Sequence, residues 1–204
     1  MSLTAWLSLV GICCAGAISP GPSLVLILRQ TISLSTKHGL ASAWGHACGI
    51  GLYASAAALG LGALMKTNPT IANGIQWGGA AYLIWLGVKA LRSAGGTAAA
   101  LELKREPTLI LTAAKEGLGI AVVNPKIILF FAAIFSQFVE IDMSAQGVAI
   151  MVATASIIDG VWYSIVVLGL SRTRLIDVLR KNAIWADRLM GTILITVAII
   201  VLFS

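Results

Sequence analysis

The sequence predicts an all-α integral membrane protein: six transmembrane helices forming two inverted three-helix repeats, with the first and fourth helices broken. Three observations lead there. Of the 204 residues, 58% are hydrophobic and 11% charged, with a mean hydropathy of +0.94; about a quarter of a soluble domain is charged. Six segments are long and nearly charge-free: 3–28, 40–65, 69–88, 117–139, 143–171 and 184–203. Proline interrupts the first and the fourth at corresponding places, Ser19-Pro20 and Asn124-Pro125, 105 residues apart.

A transmembrane helix needs about 20 apolar residues, which the first five segments supply easily. The first carries "CAGAISPGPSLVLIL", where Pro20, Gly21 and Pro22 should break a helix by removing backbone donors and clashing with the preceding turn. No Lys or Arg precedes Arg29, so residues 1–18 lack the positive region of a signal peptide and read as a retained helix. The second segment spaces Ala41, Gly45 and Gly49 at four-residue intervals, and the third has Gly74 and Gly78 at the same interval. Such spacing lets helices approach closely, within one chain or across a homodimer seam. The stretch 93–116 is the longest connection and divides a single transmembrane domain, 1–204, into a first repeat (1–92) and a second (117–204). The sixth segment is charge-free only from Leu189 to Phe203, so it spans if Asp187 and Arg188 sit at the interface.

Cations set the orientation. With both termini outside, connections one, three and five are cytoplasmic and hold twelve of the fourteen Lys/Arg, as the positive-inside rule requires. Residues 93–116 then form a cytoplasmic linker. The basic pI of about 9.6 then reads as a topology signal, one that suits contact with anionic lipids. The dispersed cations argue against nucleic-acid binding.

Three spans per half is an odd number, so the second half is upside down relative to the first. Inverted repeats place substrate sites where corresponding helices break. The two breaks satisfy the inversion if both lie near the midplane. Backbone broken inside a membrane is tolerated where protein covers it or where it lines a wet cavity. The half-helices starting at Ser23 and near Ile127 present free N–H groups and a positive dipole end, suited to a carboxylate. The competing reading is a pair of kinks in packed helices.

Three ionisable side chains lie inside the spans, Asp159, Lys126 and His46, and such groups are functional candidates. Asp159 shares a helix face with Trp162 and Tyr163, three and four residues on, so a carboxylate could meet an ammonium group that also touches an aromatic ring. It would bind either a proton or a substrate amine; alternatively it forms a structural ion pair with Lys126. Lys126 could pair with a substrate carboxylate, pair with Asp159, or snorkel. His46 is a candidate proton relay or a hydrogen-bonded bundle histidine. Asn124 is placed to cap the second half-helix.

Other chemistries lack their residues. Cys13, Cys14 and Cys48 contain no C-x-x-C pair, and His38 and His46 are too few for a transition-metal pathway, so neither metal nor cofactor is expected. No Gly-rich phosphate loop is present for ATP-driven transport, and there is no catalytic triad.

"AISPGPSLVLILRQTISLSTKHGLASAWGHACGIGLY", "AAYLIWLGVKALRS" and "GLGIAVVNPKIILFFAAIFSQF" resemble the LysE/RhtB family of bacterial amino-acid exporters, through essentially the whole chain. The resemblance implies proton-motive-force-driven export of amino acids (small neutral, homoserine- or threonine-like, or basic) across the inner membrane, by an antiporter that is no enzyme. The chain departs from the family at Ser23, where Asn usually follows Pro-Gly-Pro. The resulting candidate substrate-binding set is Pro20, Gly21, Pro22, Ser23, Asn124, Pro125, Lys126, Asp159, Trp162 and Tyr163, with Asp159 and His46 for proton coupling. The rival readings are an intramembrane enzyme and a passive channel for small zwitterions.

Overall fold

A computed structural model describes residues 2–18, 21–92, 108–124 and 143–170 continuously, with single positions between 127 and 139 and between 184 and 199. Every element among them is a helix: α1 (Leu3–Ile18), α2 (Pro22–Ser33), α3 (Thr36–Thr67), α4 (Pro69–Leu91), α5 (Ile110–Val123) and α6 (Ala145–Leu170). The described positions from Ile127 to Phe138 are helical, as are those from Ile184 to Ile199.

α1 and α2 meet at 60°. Gly21 is extended (φ −169°, ψ −173°) and offers α2 no side-chain cap. Pro22 opens that helix, where a missing N–H costs nothing. α2 then runs to Ser33, so Arg29 and Gln30 lie within the helix rather than at its end. By length and hydropathy α6 can cross a bilayer by itself, and α1 with α2 can do so as a bent pair.

Ser35 starts α3. Its hydroxyl accepts the His38 backbone N–H at 3.5 Å and contacts His38 Nδ1 at 2.8 Å. His38 Nε2 lies 2.9 Å from the Thr108 carbonyl, which can only accept, so Nε2 carries the proton and Nδ1 accepts from Ser35. One serine thus caps α3 and orients the histidine that ties α3 to the start of α5. Ser35→Ala should lower stability by about 1 kcal/mol, read as a lower unfolding temperature in detergent.

α3 is the central helix. It packs most heavily on α5 and α6, and less on α2 and α4. Against α5 the backbones nearly touch: a Cβ on Gly45 would meet the Ala114 carbonyl, and one on Gly117 would meet the Ser42 carbonyl. The row of small residues on α3 is therefore used within the chain. A Cβ on Gly74 or Gly78 of α4, in contrast, would meet nothing within 4 Å among the described residues.

Contacts fix relative directions. Gly45 meets Ala114, Gly49 meets Ala121 and the Tyr53 hydroxyl donates to the Val122 carbonyl, so α3 and α5 run parallel. Gly39 meets Val167, Gly160 meets Trp44 and Gly51 meets Ser156, so α3 and α6 run antiparallel.

α5 begins at Ile110, seven residues before the fourth apolar segment, so Lys115 and Glu116 sit in a helix where a linker was expected. The reason is packing: Gly117 seats the helix on α3, and fully buried Gln30 of α2 donates from Nε2 to Glu116 at 2.5 Å. A charged residue tied down by a neighbouring helix does not end its own.

Two apolar clusters form the core. The larger contains Leu9, Ile12 and Cys13 of α1, Ile50, Ala54 and Ala58 of α3, Met151 and Ala155 of α6, and Phe130, Phe131 and Phe135. The smaller gathers Ile27 of α2, Ala43 of α3, and Tyr163 and Val167 of α6. Residue order along α3 and α6 leaves one level between them, at His46 and Asp159.

Candidate functional site

That level is polar. His46 is 2% exposed, Ser23 5%, Asp159 6% and Asn124 8%, and all four line one cavity. Each comes from a different element: Ser23 from the first turn of α2, His46 from α3, Asn124 from the C-terminal end of α5, and Asp159 from α6. Gly21 and Tyr163 also line it, and the Tyr163 ring stands edge-on to His46 at 5.2 Å.

The hydrogen bonds form a chain. His46 Nδ1 lies 2.7 Å from Asp159 Oδ2, and His46 Nε2 lies 2.9 Å from Ser23 Oγ. Asn124 Nδ2 donates to Ser23 Oγ at 3.5 Å. With the carboxylate ionised, His46 donates Nδ1–H to Asp159 and its Nε2 accepts from Ser23. A buried His–Asp pair is poor value as a stabiliser, because desolvation of the charges offsets their attraction. Its burial in an apolar bundle marks it as a candidate for work.

The cavity measures about 50 Å³. At roughly 10–15 Å³ for each water, it holds a few waters. Its remaining wall is apolar, with Cys13, Gly16, Ile50, Phe130, Phe131 and Ala155 among the lining.

Of the candidate residues, Gly21, Ser23, His46, Asn124, Asp159 and Tyr163 therefore meet in one place. Pro22 opens α2 beside them. Asp159 pairs with His46. Asn124 reaches across to Ser23 with its side chain, beyond the capping place expected for it. Trp162 packs against the smaller apolar cluster instead of lining the cavity. Pro20, Pro125 and Lys126 lie outside the described residues. Sequence reasoning missed the apolar wall, although Ile50 and Ala155 sit one helical turn from His46 and Asp159. It also missed Gln30–Glu116, because neither residue stood alone in an apolar run. Among the described residues no group of three or more His, Cys, Asp or Glu could hold a metal.

A model of the LysE type translocator family matches residues 14–204. The chain belongs to this family. It is accordingly a membrane protein of a family of translocators, not of enzymes. A leucine efflux protein from Klebsiella pneumoniae is 31% identical over 189 residues, covering 86% of this chain and 84% of its own length. One from Salmonella typhimurium is 29% identical over 198 residues, covering 95% and 92%. A homoserine/homoserine lactone efflux protein from the same organism is 33% identical over 128 residues, covering 60% and 59%. No solved structure matches.

Proposed function

We propose that the chain exports amino acids by proton antiport, with the Asp159–His46–Ser23 chain as the shared site for substrate and proton. The observation that carries this reading is the buried polar level between two apolar clusters in a membrane helix bundle. Asp159 lies about 21 Å along α6 from Ala145 and about 17 Å from Leu170, near the middle of the helix. A carboxylate there binds a substrate ammonium or a proton. The first-turn N–H groups of α2, uncapped by Gly21, receive the substrate carboxylate.

Occupancy changes the direction of one hydroxyl. With an ammonium at Asp159, His46 stays neutral, donates Nδ1–H and accepts from Ser23 at Nε2. A proton added to His46, or to the Asp159 oxygen that faces Nδ1, makes Nε2 a donor, so Ser23 must accept and its O–H turns away. Ser23 stands in the first turn of α2, where this reversal reaches the junction with α1. α2 is then the element that senses which cargo is bound.

The finer assignments belong to the same proposal. The chain crosses the bacterial inner membrane six times with both termini periplasmic; α1 with α2, and α5 with the helix from Ile127, are two broken spans related by inversion. The parallel α3–α5 and antiparallel α3–α6 packing supports this, because spans two, four and five must run so. The exposed apolar rows, such as Leu52 and Leu59 of α3 and Ile157 and Ile165 of α6, contact lipid. The Gly74–Gly78 row of α4 is the small-residue face offered to a homodimer seam.

The names of the relatives make leucine and homoserine the first substrates to try. Inverted membrane vesicles should accumulate labelled leucine, threonine or homoserine at least about tenfold faster with an imposed proton gradient. Flux of equal rate without the gradient would favour a channel, and conversion to a new product in closed vesicles would favour an enzyme.

A further inference from the structure

We infer that the Gly16–Phe130 contact sets the size of the subsite for the substrate side chain, and that this subsite takes small to medium aliphatic side chains in preference to basic or aromatic ones. The inference rests on the exporter reading and adds which residues select the cargo.

Position comes first. Ile50 follows His46 by one turn on α3, and Ala155 precedes Asp159 by one turn on α6. Because these helices are antiparallel, both lie on the same side of the polar pair, about 6 Å from it. Phe130 and Phe131 follow Asn124 by six and seven residues and line the same cavity. An amino acid held at its ammonium by Asp159 and at its carboxylate by α2 therefore turns its side chain toward this wall.

Chemistry comes next. Among the described lining residues the carboxylate is Asp159, already paired with His46. A lysine-like side chain would bury a second cation with no acceptor of opposite charge, which is costly. The wall itself is Ile50, Ala155 and two phenylalanine rings, which suits branched aliphatic groups.

Size is the last element. A Cβ on Gly16 would collide with the Phe130 ring, Cε1 at 2.9 Å and Cε2 at 3.1 Å, with Cζ closer still. Phe131 stands edge-on to that ring at 5.6 Å and is itself edge-on to Phe135 at 5.2 Å. The tip of the Phe130 ring thus rests against a glycine, and Phe131 limits its freedom to move. Bulk added at residue 16 must displace the ring, and because both residues line the cavity it changes the space there; removing the ring widens it.

The test is gradient-driven uptake of labelled alanine, valine, leucine, phenylalanine and lysine into inverted vesicles, normalised to folded transporter. Wild type, Gly16→Ala, Phe130→Ala and the double variant would be compared. Wild type should prefer leucine and valine over lysine and phenylalanine. Gly16→Ala should lower the leucine-to-alanine uptake ratio by about tenfold, the discrimination that one methylene can give. Phe130→Ala should raise phenylalanine uptake relative to leucine, and the double variant should restore the leucine-to-alanine ratio lost in Gly16→Ala. Equal scaling of all substrates in both single variants would overturn the subsite while leaving the exporter. Preference for lysine in wild type would overturn the aliphatic selectivity alone. Absence of driven uptake for every amino acid in wild type would instead remove the exporter reading, and this inference with it.

Discussion

Asp159→Asn is expected to cut gradient-driven amino-acid uptake by about 100-fold while the chain stays folded in the membrane. Asn matches Asp in shape and can still accept a hydrogen bond from His46 Nδ1, so the α3–α6 contact survives. What it loses is the negative charge. A hydrogen bond to a charged group contributes about 1.5–3 kcal/mol, and each 1.4 kcal/mol is a factor of ten in affinity. The amine therefore binds roughly 10- to 100-fold more weakly, and proton exchange at residue 159 ends altogether. Asp159→Glu should retain part of the activity, since it keeps the exchangeable proton on a longer arm. Vesicle uptake with and without a proton gradient reads both effects. Driven uptake that survives in Asp159→Asn would reduce the residue to a structural partner of His46.

Gly117→Ala and Gly119→Ala should move stability in opposite directions. Both replace glycine inside α5, where helix propensity alone favours alanine by about 0.8–1.0 kcal/mol. A Cβ on Gly119 would meet nothing within 4 Å among the described residues, so that gain should appear as a higher unfolding temperature. At Gly117 the added methyl meets backbone, the Ser42 carbonyl and Cα of α3, which cannot rotate aside as a side chain would. Overpacking costs about 1–3 kcal/mol and more where backbone must shift, so net destabilisation of about 2 kcal/mol is expected. The shift should also reduce transport, because Ser42 lies one turn from His46 on the helix being displaced. Thermal unfolding in detergent checks the sign; equal shifts for the two variants would contradict the close approach of α3 and α5.

The parts that were legible in the sequence share a physical basis. Long charge-free runs report an apolar environment directly, and Pro-Gly-Pro reports the 60° bend between α1 and α2. Asp159 and His46 were legible because an ionisable group in an apolar run has a high cost that something must offset. Their partnership was not. Amphipathic helices show which stripe faces inward, but α3 and α6 are apolar nearly all round, so periodicity does not reveal a face. In the sequence Lys126 was the partner weighed for Asp159, while His46 stood apart as a relay or a bundle histidine, and Trp162 looked as well placed as Tyr163 one residue away.

By itself the sequence determined a membrane-embedded helical chain, its family, and the short list of residues able to carry a proton or meet a charged substrate. These follow from composition and local chemistry, which need no knowledge of what lies across the bundle. Tertiary structure alone decided that Asp159 meets His46 across 113 residues, that His46 passes the contact to Ser23, and that a glycine on α1 lies against the Phe130 ring. Such pairings depend on how far each helix is rotated and slid against its neighbour. That is settled by the close approach of α3 to α5 and α6, the outcome of packing many side chains at once.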